Sequence, residues 1–246
     1  MIVMNLVLDI GNTFSKYSVF NIEKIQDHGY WATDKIIEEF KTWIKNNPNC
    51  RSIIVSDVFG IDNFIFESIA KCKVIWVSHK IELPFKIEYK TPETLGADRI
   101  SLISSVVVEY PKKNCLVIDL GTCITYDFVN DLGDYFGGTI SPGFSLRYRS
   151  LNLYTSKLPQ LDFHLPDNFH GTSTEKSIHS GIYYGIKAEV ENQIAYYTKI
   201  YKNLTVILTG GDSDKLANQI KNGIFANHIF LAKGLYSLLK LNTKGF

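Results

Sequence analysis

No charge of one sign dominates this chain of 246 residues: 26 Lys and Arg stand against 25 Asp and Glu, for a net charge of +1. The densest basic pair is Lys112-Lys113, too little for a phosphate-backbone patch, so neither nucleic acid nor a charged membrane surface is an expected partner. Cysteines are few. Cys50, Cys72, Cys115 and Cys123 form no CxxC pair and have no His at zinc spacing, which excludes the usual structural zinc sites. The pattern is that of a reduced, cytoplasmic protein, with Cys115 and Cys123 read as small buried hydrophobes. No stretch reaches the roughly 20 apolar residues that a membrane-spanning helix needs. The apolar N-terminus has no basic leader and is interrupted by Asp9, which argues against a secretion signal. There is no GxxxxGK[ST] phosphate loop and no protein-kinase signature set.

What is present is an internal repeat. Residues 6–20 read LVLDIGNTFSKYSVF and residues 116–129 read LVIDLGTCITYDFV. Each has three apolar residues, an Asp, an apolar residue, a Gly and a run of hydroxyl-bearing side chains. Asp9 and Asp119 are 110 residues apart, close to half the chain, which points to a duplicated domain. Each repeat predicts a β-hairpin with a turn at Gly11-Asn12 or Gly121-Thr122. Around the hairpins, helix and strand signals alternate, as in an α/β fold. Helices are expected from Asp34 (as N-cap) to about Lys45, over Asp62–Ala70, Gly96–Tyr110 and Ser173–Tyr201, and near Ala232–Leu241. Strands are expected at Ser52–Ser56, Lys73–Val77 and Leu204–Leu208. The boundary is placed near Pro111, giving domains 1–111 and 112–246.

The chemistry sits in the turns. Successive backbone N–H groups at a Gly-containing turn form a concavity for anions, and Lys16 adds a point charge. Asp9 ends its strand where a carboxylate can reach Mg²⁺, which typically uses one or two carboxylates together with phosphates. Asp119, Gly121, Thr122 and Thr125 repeat that set, and two facing turns would grip a polyphosphate from both sides. Against a nucleotide site stands the plainer reading of two hairpins with polar turns; the repetition favours the nucleotide. Leu208-Thr209-Gly210-Gly211-Asp212 adds a third Gly-rich turn, with Asp212 expected to cap a helix over Lys215–Ile220. Gly137-Gly138 and Pro142-Gly143 read as a turn. His164, His170 and His179 have no partner at metal spacing and read as polar surface residues. The tyrosines Tyr183, Tyr184, Tyr196, Tyr197 and Tyr201 read as core or subunit interface.

With those residues in view, the sequence resembles the type III pantothenate kinases of the acetate and sugar kinase, heat-shock chaperone and actin superfamily. The resemblance runs through DIGNTFSK at 9–16, TPETLGADR at 91–99, DLGTCIT at 119–125, GGTISPG at 137–143, STEKSIHSG at 173–181 and LTGGDS at 208–213. It implies two duplicated actin-like (ribonuclease H-like) domains with an ATP cleft between them. It implies that Asp9, Ile10, Gly11, Asn12, Thr13, Phe14, Ser15 and Lys16 form the ATP-phosphate loop, with Thr122 also touching ATP. Tyr89, Gly96, Ala97, Asp98, Arg99 and Thr174 would contact the substrate, and Asp98 would be the general base. Asp119 would hold a monovalent cation, K⁺ or NH₄⁺. Ser173 replaces a common Asn and Cys123 a common Ala; neither removes an assigned group. The implied reaction is ATP-dependent phosphorylation of pantothenate to 4′-phosphopantothenate, the first step of coenzyme A biosynthesis, by a cytoplasmic homodimer. Residue chemistry agrees, since phosphoryl transfer needs positioning, charge neutralisation and an acceptor for the hydroxyl proton. Two alternatives stay open: a non-catalytic nucleotide-binding regulator, and a kinase for another small hydroxy acid or sugar.

Overall fold

The computed structural model describes residues 4–22, 24–217, 219–220, 223–226 and 229–243. Along the chain run β1 (Met4–Ile10), β2 (Phe14–Asn21), β3 (Lys24–Ala32), α1 (Ile36–Asn46), β4 (Cys50–Asp57), α2 (Asn63–Ala70), β5 (Lys73–Trp76), β6 (Lys86–Ile87) and α3 (Ala97–Glu109). There follow β7 (Cys115–Leu120), β8 (Cys123–Val129), β9 (Asp134–Pro142), α4 (Phe144–Leu153), α5 (Thr174–Ile200), β10 (Thr205–Thr209), β11 (Ile224–Phe225) and α6 (Ile229–Asn242).

The chain forms two compact units. One holds residues 1–111 together with 229–246; the other holds 112–228. The division after Pro111 coincides with the expected boundary, but α6 packs into the first unit rather than staying with the half of the sequence that encodes it. Its Phe230, Leu235, Leu238 and Leu239 are buried there, and Tyr236 stacks on Phe20 of β2 with ring centroids 4.1 Å apart. A helix signal tells nothing of which sheet the helix will cover, so the assignment to 112–246 could not have caught this.

The two units share one strand plan. The first sheet runs β3-β2-β1-β4-β5, and within the second unit the order is β11-β10-β7-β8-β9. In each, a hairpin and a third antiparallel strand lie on one side of the first strand (β1 or β7), and two parallel strands on the other. The repeat seen in the sequence is therefore a repeat of topology. Buried runs such as Leu6-Val7-Leu8 and Leu116-Val117-Ile118 fill the central strands because both faces are covered. In the first unit, α1 and α2 cover one face through Phe40 and Phe66, stacked at 3.8 Å. In the second, α4 and α5 bring Phe144, Tyr148, Ile182, Tyr183 and Ile186 onto β7 and β8.

Several local expectations change. Asp34 does not cap α1; it lies in a short 3-10 turn, Thr33–Lys35, and the helix begins afterwards without a side-chain cap. Asp62 and Ser173 do cap: their side chains accept from the backbone N–H of Ile65 (3.1 Å) and Lys176 (3.2 Å). No helix forms over the described part of 215–220 beyond a 3-10 turn at Ser213–Lys215, and the Asp212 carboxylate accepts from Lys215 Nζ at 2.5 Å instead of capping. Gly137-Gly138 is strand rather than turn, with Gly137 at φ +102° beside a register shift opposite Phe128/Val129. That is a β-bulge, for which Gly is suited. Cys115 is buried as expected, but Cys123 is exposed at the start of β8. Among the described residues no helix is long and apolar enough to cross a membrane.

Candidate active site

In the first unit the polar turn follows β1. Asp9 lies opposite Lys16 on β2 and opposite Ser56 on β4. Ser56 Oγ donates to Asp9 Oδ1 at 3.2 Å. Burial pushes the Asp9 carboxyl up to about 6; Lys16 works against that rise, the Asp98 carboxylate adds to it, and the Ser56 hydroxyl opposes it. The site thus holds two acidic groups near enough to repel, with burial as the main cause of the rise at Asp9.

The turn itself is fastened from below. Thr33 Oγ1 donates to the Gly11 carbonyl at 2.9 Å, Thr33 N–H donates to the Thr13 carbonyl at 3.2 Å, and the Ser15 and Thr33 hydroxyls pair at 2.9 Å. Asn12, Thr13 and Phe14 are exposed. Ile10 and Ser15 are fully buried, backbone included, and present no open surface to a ligand. Ser56 and Thr33 were not anticipated. Neither belongs to a motif; only the sheet register sets Ser56 beside Asp9.

TPETLGADR forms the entrance to α3. Pro92–Thr94 is a 3-10 turn closed by Thr94 N–H to the Thr91 carbonyl at 3.0 Å. Leu95 anchors it in the core, and Gly96 caps α3. Asp98 sits in the first helical turn, where the dipole favours its ionised form. Its Oδ1 accepts the Arg99 N–H at 2.8 Å, folding the carboxylate back over Gly96. A Cβ at Gly96 would collide with that oxygen, which explains the glycine. Arg99 is buried, its guanidinium 5.7 Å from the centre of the Tyr89 ring. Tyr89, Gly96, Ala97, Asp98 and Arg99 are therefore one neighbourhood, and Asp98 is within electrostatic range of Asp9.

In the second unit, Asp119, next to last in β7, lies opposite Thr125 on β8 and Thr209 on β10. Thr125 Oγ1 is buried with no hydrogen-bond partner among the described residues. Gly210, at φ +96°, passes so close that a Cβ there would strike the Asp119 carboxylate. Thr122 is exposed in the turn, and its carbonyl accepts from Gly143 N–H at 3.0 Å. Behind these residues lies an unforeseen network. Glu189 accepts from Tyr126 OH (2.8 Å), Ser141 Oγ (3.0 Å) and Arg147 (2.5 Å), while Arg147 Nε donates to the Pro142 carbonyl (2.8 Å). Burial works to raise the Glu189 carboxyl, but these donors together hold it below its ordinary value. It fastens GGTISPG to α4 and α5, a role invisible until the helices are placed. Thr174 is the exposed first residue of α5, at the rim of a depression of about 700 Å³ with Arg147, Leu151, Leu158 and Ile178.

Residues 5–196 match the type III pantothenate kinase family. The chain belongs to that family. A type III pantothenate kinase from Christiangramia forsetii is 42% identical over 240 residues, 97% of this chain and 99% of the relative. Among solved structures, a Campylobacter jejuni Baf-family protein is 20% identical with a TM-score of 0.64, covering 96% of this chain and 97% of that one. MreB5 of Spiroplasma citri bound to ADP is 11% identical with a TM-score of 0.51, covering 97% and 96%. At those identities the likeness is one of fold, and the fold is actin-like. In this chain Asp9 and Asp119 lie near the ends of β1 and β7, and Asp98 in the first turn of α3.

Proposed function

We propose that this protein transfers the γ-phosphoryl group of ATP to the primary hydroxyl of pantothenate, giving 4′-phosphopantothenate, the entry to coenzyme A. Membership of a pantothenate kinase family over nearly the whole chain supports the reaction. The observation that carries the mechanism is the acidic pair Asp9 and Asp98 beside the turn at 11–13. Asp98 accepts the substrate hydroxyl proton. The turn's backbone N–H groups and Lys16 hold the phosphates, and Thr122 makes a further contact to ATP. Tyr89, Gly96, Ala97, Arg99 and Thr174 bind pantothenate, with the planar fork of Arg99 suited to its carboxylate.

Two cations fit the residues. Asp9 is raised by burial, with Lys16 opposing and Asp98 adding to the rise, and Mg²⁺ held by Asp9 and the phosphates would favour its ionised form. Asp119 pairs across the hairpin with Thr125, whose buried hydroxyl has no partner among the described residues, and a monovalent cation, K⁺ or NH₄⁺, held by Asp119 would give that hydroxyl oxygen one. Bound there, it would offset phosphate charge. The protein works as a cytoplasmic homodimer, a reading supported by the exposed Tyr196 and Ile200 of α5.

The test is ADP release by purified protein with ATP and Mg²⁺, with and without pantothenate, in K⁺ and in Na⁺ buffer. Pantothenate-dependent turnover that needs K⁺ is expected. ATP binding without turnover in either buffer, whatever small hydroxy acid is offered, would instead indicate a nucleotide-binding regulator.

A further inference from the structure

The four cysteines take no part in this chemistry, yet two of them are neighbours. Cys50 opens β4 and Cys72 immediately precedes β5, the strand that pairs with β4 in parallel. Simple alternation would put them on opposite faces: Ser52 pairs with Lys73, so Cys50 would share a face with Lys73 and not with Cys72. A register shift intervenes. Met4 pairs with Cys50 but Asn5 pairs with Ser52, so Arg51 is an extra residue. The bulge moves Cys50 to the face of Ile53 and Val55, which is the face that Cys72 shares with Val74 and Trp76. Both cysteines accordingly pack against the cluster of Ile53, Val55 and Phe66. Each thiol shifts the titration of the other, and Cys50 Sγ also donates to the Ser52 carbonyl at 3.7 Å.

The surroundings suit thiol chemistry. Both sulfur-bearing residues are half-buried rather than sealed. Cys50 lines an open cavity of about 440 Å³ whose rim carries Lys41, Lys45 and Lys71. Those ammonium groups attract anionic small-molecule disulfides to the cavity. Hydrogen bonding from Cys50 holds the Cys72 thiol below its ordinary value, against the effect of burial. Nucleophilic attack needs the thiolate, so Cys72 is the member that reacts first.

We propose that Cys50 and Cys72 form a dithiol site oxidised to an intramolecular disulfide by low-molecular-weight disulfides. The Cys72 thiolate attacks one sulfur of the oxidised small thiol, forming a mixed disulfide and releasing one reduced small thiol. Cys50 then attacks the Cys72 sulfur and releases the second. Two electrons pass from the cysteine pair to the small disulfide, and the two thiol protons end on its two reduced halves. The new bond ties β4 to the α2–β5 turn. Cys115 lies buried in the second unit and Cys123 exposed there, without this arrangement.

The experiment is incubation of the whole protein with oxidised glutathione, followed by intact mass, thiol titration and a non-reducing digest. The expected product has lost about 2 Da and two of its four thiols, and yields a peptide pair joined through Cys50 and Cys72. In the Cys50→Ser protein, Cys72 should instead retain glutathione as a stable mixed disulfide. Wild-type protein in which both thiols stay free, or in which glutathione stays attached to Cys72 without closure, would overturn the proposal.

Discussion

Asp9 and Asp98 carry opposite demands. In the proposed reaction Asp98 accepts a proton, and its ionised form is supported by the Arg99 N–H and the α3 N-terminus. Asp98→Asn should keep the fold and ATP binding while lowering pantothenate-dependent turnover by about 10²–10⁴-fold, the usual worth of a general base. Near-native turnover would remove Asp98 from that role. Asp9 is held neutral more readily in the fold than in the unfolded chain, at about 6 against 3.8. The folded state therefore binds the proton more tightly, and ionising Asp9 costs stability. That cost is absent below pH 3.8, grows through the interval and is complete above pH 6. Asp9→Asn should accordingly be more stable than wild type at pH 7.5, by about 1–3 kcal/mol, and no more stable near pH 4. Urea unfolding at the two pH values measures this, and a difference independent of pH would discard the explanation. Asp9 was legible from the repeated LVxD pattern, and Asp98 only from its place in TPETLGADR. Ser56 and Thr33, which tune and brace the first of them, were not, because each meets the turn only through sheet pairing.

The most tightly specified contact between elements is that of α3 with α6. Ser101, Ser104 and Ser105 are buried on α3, each donating its hydroxyl to the carbonyl four residues earlier at 2.6–3.0 Å. That satisfies the hydroxyls internally and leaves a low surface on which a second helix can lie. Gly234 of α6 uses it. A Cβ there would strike Ser105 Oγ and come within 2.6 Å of the Ser105 nitrogen and 2.8 Å of the Ser101 carbonyl. Backbone cannot yield as a side-chain tip can, so Gly234→Ala should separate the helices and destabilise the first unit by about 2–3 kcal/mol, despite the better helix propensity of Ala. Thermal unfolding would show it, and an unchanged or raised Tm would mean that the helices are not so closely packed. Because α3 presents Asp98 at its other end, the same variant should lose turnover in proportion to any shift of that helix.

For the whole molecule, the main device is duplication: one strand plan, used twice, supplies two acid-bearing turns. The chain then crosses back, so that the first unit includes α6 as well as residues 1–111. The exposed apolar residues of α5, Tyr196 (59%) and Ile200 (52%), lie beyond the buried stripe of Ile182, Ile186 and Val190. A dimer that covers them should give twice the 28.0 kDa chain mass in light scattering. A monomer at micromolar concentration would refute the homodimer.

The sequence by itself determined the hairpins and most helices, because these are local: turn chemistry, apolar periodicity and short motifs act over a few residues. Asp34 and Gly137-Gly138 show the limit even there. A competing 3-10 turn displaced the first as a cap, and a bulge drew the second into a strand. Only the tertiary structure decided where α6 packs, that Ser56 reaches Asp9, that Glu189 ties α5 to GGTISPG, and that Cys50 meets Cys72. Each of those depends on register or on which face an element covers, and a one-residue bulge such as that at Arg51 reverses the face without leaving a mark in the pattern of residue types.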